Sequence, residues 1–183
     1  MQRDMNPYVT ELDLPLNFNF DLNLVNSGRS QHKYSPEGID QKIHSWLRDH
    51  VQLKIHWCEL LILPPWKAYP IHVDGEEYDR HDKGKLNFIY GGEGSKMVWF
   101  EDTGELDIEI NSAGKPRLAP KKTPTEIYSR NVSGFVIANV GILHTVRNLS
   151  TPRYCLTTSV VDIHTNKRVG YTELYTRFHD YAK

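Results

Sequence analysis

The sequence predicts a mainly β fold, an antiparallel sandwich or jelly roll with a helix packed on the outside of one sheet. Three observations support this prediction. Short β-rich runs follow one another from Lys54 onward, Gly, Pro, Asn and Asp separate them, and no helical period interrupts them. A parallel α/β sheet needs helices between its strands, so this order of elements favours antiparallel pairing.

Two elements precede these runs. The segment LNFNFDLNLV at 16–25 alternates apolar and polar residues, which is typical of a half-buried strand. The pattern then changes to a helical period, with Ser35 placed as the N-cap and Pro36 at the first helical position. The apolar face of this predicted helix consists of Ile39, Ile43, Trp46 and Leu47.

The predicted strands then follow in order. They are IHWCELLIL, AYPIHVD, LNFIYGG, KMVWFED, ELDIEI, TEIYSR, GFVIANV, LHTVRN and RYCLTTSVVDI. Two long loops are predicted at 75–84 and 111–124. The second loop carries Lys115, Arg117, Lys121 and Lys122. These basic side chains either attract an anionic substrate or belong to a solvated hairpin tip. The tail from 170 has Tyr171, Leu174, Tyr175 and Phe178 near helical spacing, which predicts a short helix that docks on the sheet or on a second subunit.

Length and composition suit one globular domain spanning 1–183. The chain has 183 residues, 39% hydrophobic and 25% charged, with a formal net charge of -1. This balance lacks the basic excess of a nucleic-acid binder, so we expect no nucleic-acid partner. No run approaches the roughly 18 apolar residues that a membrane span needs, and we expect no membrane association.

The two cysteines indicate a reducing compartment. Cys58 and Cys155 both lie in apolar, strand-like runs without other ligands at zinc spacing, so we expect buried free thiols. The start of the chain, MQRDMNPYVTELDLP, has no apolar core of a signal peptide. We therefore predict a cytoplasmic location.

The clearest candidate for chemistry is a metal site. His72 and Asp74 are two residues apart at the end of a predicted strand, so their side chains share one face and can reach one ion. His144, in VGILHTVRN, is the candidate third ligand, because strands distant in sequence are neighbours in a jelly roll. Two imidazoles and one carboxylate form the facial triad of non-haem Fe(II) oxygenases. In the alternative interpretation these side chains are ordinary polar residues.

Arg153 begins the last predicted strand. By strand parity Arg153, Cys155, Thr157 and Ser159 share one face, an arginine followed by small side chains. Such a face suits the floor of a cavity that holds a carboxylate-bearing molecule, whose carboxylate forms a charge-assisted contact with the guanidinium. In the alternative interpretation Arg153 caps the strand edge in solvent.

Together, the segments YPIHVDG, KLNFIYGG, MVWF, GFVIANVGILHTVRN and PRYCL resemble the 2-oxoglutarate and Fe(II)-dependent dioxygenases. They look like the prolyl-hydroxylase and aspartyl/asparaginyl-hydroxylase-like branches, and the short chain is similar to phage and marine microbial members. The resemblance covers the predicted core, residues 54–163. It implies a double-stranded β-helix (jelly roll, cupin-like) with one or two flanking helices. It also implies that His72, Asp74 and His144 bind Fe(II), and that Arg153 binds the distal carboxylate of 2-oxoglutarate.

The resemblance further implies a second polar contact to the cosubstrate. Asn87 and Tyr90 lie on the strand after the His-x-Asp pair, but on opposite faces, so at most one of them can serve; Tyr69 is a third candidate. The implied reaction is a hydroxylation that releases succinate and CO2. The substrate, a small molecule or a peptide side chain, is not identified by the sequence.

Two other functions remain open at this stage. One is a cupin-like metal enzyme that does not use 2-oxoglutarate, and the other is a non-catalytic jelly-roll module that binds carbohydrate or a protein. Arg153 distinguishes a 2-oxoglutarate-dependent oxygenase from the cupin-like enzyme, because only a cosubstrate with a remote carboxylate needs this arginine. Metal binding distinguishes the two metal enzymes from the non-catalytic module, which is expected to bind no metal.

Overall fold

A computed structural model describes residues 5–18, 31–74, 82–111, 114 and 116–183. The strands are β1 (Val9–Leu12), β2 (Gln31–Tyr34), β3 (Leu53–Leu63), β4 (Val73–Asp74), β5 (Gly84–Gly91), β6 (Lys96–Phe100), β7 (Leu106–Ile110), β8 (Pro116–Pro120), β9 (Glu126–Asn131), β10 (Gly134–Asn139), β11 (His144–Arg147) and β12 (Arg153–Asp162). The helices are α1 (Gln41–Val51) and α2 (Tyr171–Arg177), with 3₁₀ turns at Pro36–Gly38 and His179–Tyr181.

The strands form one large and two small antiparallel sheets. The large sheet has the order β1-β10-β5-β12-β3-β2, and the small sheets have the orders β11-β6-β9 and β4-β8-β7. From β4 onward the chain passes repeatedly between the large sheet and the small sheets, as in a jelly roll. The predicted mainly β, antiparallel fold with two flanking helices is confirmed.

The helices cover one face of the large sheet. Leu86 and Phe88 of β5 and Leu156 and Val160 of β12 belong to a buried apolar cluster together with side chains of both helices. Burial of each such side chain contributes roughly 1.5–3 kcal/mol. The opposite face of the sheet is therefore left for the site.

The first helix begins later than predicted. Its N-cap is Asp40, whose carboxylate accepts a hydrogen bond from the Lys42 amide at 2.8 Å. Pro36 starts a separate 3₁₀ turn, in which the Ser35 hydroxyl donates to Glu37 instead of capping. The predicted apolar residues Ile39, Ile43, Trp46 and Leu47 are all buried.

Three predictions along the chain, one strand and two loops, need correction or remain open. Residues 116–120, predicted as part of a loop, form β8, the central strand of a small sheet, because Leu118 and Ala119 are buried between the end prolines. Of the strand predicted at 16–25, residues 16–18 lie in no strand and 19–25 lie outside the described residues. The loop predicted at 75–84 lies outside the described residues through 81, and β5 begins at Gly84.

The tail forms the short helix α2 as predicted, and Tyr171, Leu174 and Phe178 are buried against the large sheet. Among the described residues, no helix is both long enough and apolar enough to cross a membrane.

Candidate metal centre

Backbone hydrogen bonds hold together the segments that carry the three candidate ligands. The His72 amide donates to the His144 carbonyl at 3.0 Å, and the His144 amide donates to the His72 carbonyl at 2.9 Å. Residues directly opposed in this way project their side chains to the same side of the sheet. Asp74, two residues farther on, shares that side, and its amide donates to the Val140 carbonyl at 3.0 Å.

The ligand atoms are close enough to hold one ion. One donor atom each from His72, Asp74 and His144 lies within 4.8 Å of the others. Nε2 of His72 lies 3.2 Å from Oδ1 of Asp74, and the two imidazole centroids are 4.6 Å apart. The structure thus brings together the three residues predicted from sequence.

Both imidazoles are oriented with Nε2 available to a metal. Nδ1 of His72 lies 2.8 Å from the Pro70 carbonyl, and Nδ1 of His144 lies 2.9 Å from the Ile142 carbonyl. A carbonyl can only accept, so in the neutral rings Nδ1 carries the proton and Nε2 keeps its lone pair. Such backbone contacts to the second ring nitrogen accompany metal-bound histidines generally.

The surroundings of Asp74 and His144 keep both side chains in the protonation states that bind a metal. Burial alone would raise the pKa of Asp74, but Lys85 and His72 outweigh it and hold that pKa well below its usual range. Burial, together with charge on His72, lowers the pKa of His144 to about 4. At neutral pH the site therefore offers a carboxylate and a neutral imidazole, the forms that bind metals.

Lys85 was not identified from the sequence. It is 8% exposed, and its ammonium lies 3.6 Å from Oδ2 of Asp74 and 4.6 Å from the centre of the Trp57 ring. Lys85 is two residues before Asn87 on β5, so strand parity could have placed both on the face that carries the site.

The ligands lie over a cavity of about 620 Å³ between the large and small sheets. The predicted face of β12 forms part of its floor, since Arg153, Cys155, Thr157 and Ser159 all line it. Arg153 is 2% exposed and therefore does not cap a strand edge in solvent. Gly92, at φ +65°, leaves room for it, because a Cβ there would lie 2.5 Å from the Arg153 Cβ.

Three buried polar atoms in this cavity have no hydrogen-bond partner in the described structure: Oη of Tyr69, Oδ1 of Asn87 and Nε of Arg153. Such atoms are costly to leave unsatisfied, which points to a ligand that completes them. Burial raises the pKa of Tyr69, so its hydroxyl stays protonated and can donate.

Tyr90, the remaining candidate for the cosubstrate contact, does not face the cavity. Its side chain is 59% exposed, with its ring 6.2 Å from that of Tyr154 on the opposite face of the large sheet. The pairing of Asn87 with Thr157 shows which parity of β5 faces the cavity, and Tyr90 has the other parity. Of the three candidates, Asn87 and Tyr69 therefore remain.

The cysteines are free and buried as expected. Burial raises the pKa of Cys58 to about 11 and also raises the pKa of Cys155, so both remain thiols.

No protein-family model and no curated protein matches the chain. Among solved structures it is similar to a 2OG-Fe(II) oxygenase family oxidoreductase from Burkholderia pseudomallei, at 16% identity and TM-score 0.39, over 70% of this chain and 55% of that one. It is also similar to HygX from Streptomyces hygroscopicus with iron bound, at 12% identity and TM-score 0.41, over 81% and 84% of the chains. A third is the viral collagen prolyl hydroxylase of Paramecium Bursaria Chlorella virus-1 in its 2OG complex, at 13% identity and TM-score 0.35, over 71% and 76%.

The chain spans about half the length of the Burkholderia protein. Each of these TM-scores lies below 0.5.

Proposed function

We propose that the protein is a non-haem Fe(II) and 2-oxoglutarate-dependent oxygenase that hydroxylates a substrate not yet identified. One observation carries the proposal: a His-Asp-His triad with available Nε2 atoms shares its cavity with a buried arginine whose Nε has no partner among the described residues. The single domain over 1–183 and the cytoplasmic location stay predictions.

His72, Asp74 and His144 would hold the iron. Two neutral imidazoles and one carboxylate suit a divalent first-row metal and leave coordination positions open for other ligands. The carbonyls of Pro70 and Ile142 fix the two rings, so their Nε2 atoms need not reorient when the ion binds.

Arg153 and Tyr69 would hold the distal carboxylate of 2-oxoglutarate. A guanidinium can bind a carboxylate through two parallel hydrogen bonds, and the Tyr69 hydroxyl supplies another donor in the same buried region. Cys155 and Thr157 follow Arg153 on the cavity floor, and their small side chains leave room for an extended molecule. The fit therefore involves Nε of Arg153 and Oη of Tyr69, which have no hydrogen-bond partner among the described residues.

Bound Fe(II) and 2-oxoglutarate would supply the oxidising chemistry, in which O2, 2-oxoglutarate and a C–H group give succinate, CO2 and an alcohol. The chain itself would position the bound groups and exclude water from them. Arg153 is almost fully buried, so water competes little for its contact with a carboxylate. No side chain is required to act as a general acid or base.

The test is an anaerobic titration of metal-free protein with Fe(II) and then 2-oxoglutarate. We expect about one Fe(II) per chain and the weak visible charge-transfer band of a chelated keto acid. The band should be absent in His72→Ala, which lacks a ligand. It should need a much higher 2-oxoglutarate concentration in Arg153→Ala, which should still bind the metal.

A matched pair of tyrosine variants controls for general effects. Tyr69→Phe should weaken 2-oxoglutarate binding, whereas Tyr90→Phe, on the opposite face, should leave it unchanged. Iron binding without the band would instead favour a cupin-like metal enzyme that does not use 2-oxoglutarate. Absence of any iron binding would favour a non-catalytic module.

A further inference from the structure

The two oxygens of the Asp74 carboxylate have different neighbours. Oδ1 lies 3.2 Å from Nε2 of His72, and this ring nitrogen is available to a metal because Nδ1 lies against the Pro70 carbonyl. Oδ2 lies 3.6 Å from the ammonium of Lys85, with which it forms an ion pair. Oδ1 therefore faces the place of the ion, and Oδ2 faces Lys85.

The ammonium of Lys85 has little freedom to leave this position. Besides the Asp74 carboxylate it contacts the face of the Trp57 ring, with Nζ 4.6 Å from the ring centroid. The Lys85 side chain is only 10% exposed, so few positions in solvent are open to it. Lys85 also has an interaction beyond these two, and any such interaction restricts the ammonium further.

Backbone hydrogen bonds tie the segment that carries Lys85 to the segment that carries Asp74. Lys85 lies in β5, directly opposite Ala138 of β10. Val140 follows β10 and joins both segments: its amide donates to the Lys83 carbonyl at 2.8 Å, and its carbonyl accepts from the Asp74 amide at 3.0 Å. The backbone thus fixes where the lysine and the aspartate start, and the ion pair fixes where they end.

The number of Asp74 oxygens that bind the metal decides how many coordination positions stay vacant. A carboxylate can bind a metal through one oxygen or through both. On an octahedral ion, two imidazoles and one carboxylate oxygen leave three positions, whereas a second carboxylate oxygen leaves two. The keto-acid end of 2-oxoglutarate would fill two positions, and the proposed reaction also needs one for O2. Only binding through a single Asp74 oxygen leaves that position vacant.

We propose that Lys85 is a positioning residue, which holds Oδ2 of Asp74 and so restricts the carboxylate to binding the metal through Oδ1 alone. Turning Oδ2 toward the ion would separate it from the buried ammonium, and the loss of a charged partner in a buried place is costly. This role of Lys85 rests on the proposed function, because it requires a metal at the triad. It adds to that function the residue that keeps a coordination position vacant.

The test counts the water molecules bound to Mn(II) in the loaded full chain, with 2-oxoglutarate absent. Electron–nuclear double resonance in water labelled with a magnetic oxygen isotope provides the count. Mn(II) prefers octahedral coordination, so we expect three bound waters in the natural chain, one for each position that the triad leaves. In Lys85→Met, whose side chain has a similar length and no charge, Oδ2 can turn toward the ion, and we expect two.

The affinity for Mn(II) separates a positioning role from a merely structural one. Lys85→Met removes the repulsion between the ammonium and the ion, and it lets a second oxygen bind. The variant should therefore bind Mn(II) about threefold more tightly, or better, in a calorimetric titration. Replacement of a lysine that only stabilises the fold would not raise the affinity.

Two further variants control for charge and for packing. Lys85→Arg keeps a cation that can reach Oδ2, so it should retain three bound waters and an affinity within about twofold of the natural chain. Lys83→Met removes the same charge from a neighbouring position of the cavity lining and should also retain three waters. Thermal unfolding of each metal-free variant shows whether it folds.

Three waters in Lys85→Met, weaker Mn(II) binding by this variant, or the same loss of a water in Lys83→Met would overturn the proposal. Two waters in the natural chain would also overturn it, and this result is decisive even if Lys85→Met does not fold. Absence of Mn(II) binding by the natural chain would contradict both this role and the proposed function. Absence of the keto-acid absorption band in a chain whose Mn(II) binds three waters would contradict the proposed function alone.

Discussion

The two faces of β12 are built from alternate residues of one strand and differ in how their polar groups are satisfied. On the face covered by the helices, Thr158 is fully buried and its hydroxyl donates to the Leu86 carbonyl at 2.7 Å. On the cavity face, Arg153 is equally inaccessible, yet its Nε has no partner in the described structure. The protein itself satisfies the buried polar group on one face, whereas the other face leaves a buried donor that a ligand could satisfy.

Removal of apolar volume from the covered face should have the largest effect on stability. Leu156→Ala should lower the free energy of unfolding by about 2–5 kcal/mol, because it leaves a cavity beneath the helices. Denaturant unfolding measures the change. The neighbouring Thr157→Ala, on the cavity face, should lower it by less than about 1 kcal/mol. Similar losses in the two variants would contradict the division of roles.

The cavity face should show the opposite behaviour. Arg153→Met replaces a buried guanidinium with an apolar side chain, so the free energy of unfolding should be unchanged or higher. The affinity for 2-oxoglutarate should fall by about 30-fold or more, because the carboxylate loses its charged partner. Calorimetry on the metal-loaded protein measures the affinity. A large loss of stability with normal affinity would assign Arg153 a structural role.

Two adjacent threonines on opposite faces of β12 should differ in the same direction, by a smaller amount of unfolding free energy. Thr158→Val removes the hydrogen bond to Leu86 and should lower the free energy of unfolding by about 1 kcal/mol. Thr157→Val, with the same change on the cavity floor, should alter it by less than about 0.5 kcal/mol. Thermal unfolding of both variants provides the measurement, and equal shifts would remove the distinction between the faces.

The smallest expected effect concerns pH and the end of β12. Asp162 accepts hydrogen bonds from the Thr165 amide and from Arg177 of α2, both at 2.7 Å. These contacts, that of Thr165 first, hold the pKa of Asp162 well below its usual range. A depressed pKa stabilises the folded state above the unfolded value of about 3.9, and this stabilisation is lost as the pH falls further.

Asp162→Asn should therefore unfold at a slightly lower temperature than the natural chain at pH 7, with the difference shrinking between pH 4 and pH 2. Metal binding at pH 7 should stay the same, since Asp162 lies outside the cavity lining. A temperature difference that does not depend on pH would show that the carboxylate charge is not responsible.

Strand parity explains most of what the sequence could predict. The period-two pattern of β12 correctly separated Arg153, Cys155, Thr157 and Ser159 from the residues that pack under the helices. The pair His72 and Asp74 was recognisable because the two residues share a face at short range. Bringing His144 opposite His72 required the jelly-roll order, which the series of short strands predicted and the structure shows.

Other features depend on information that short-range patterns lack. Asp40 caps α1 because the chain turns at Pro36–Gly38 first, and Ser35 and Asp40 are both acceptable caps by type. β8 was missed because prolines and lysines surround its two buried residues. Arg168 enters the cavity only through the return of the chain past the end of β12, which no local pattern predicts.

The reciprocal backbone hydrogen bonds of His72 and His144 provide a way to measure metal occupancy of the site without substrate or turnover. Each residue donates its own amide proton to the other, so exchange of these two protons with heavy water requires the pair to separate. An ion held by both imidazoles would have to leave first, and the exchange should slow in proportion to how tightly it is held. Two amide signals would thus record when the centre is filled and with what affinity, even for a metal that supports no reaction.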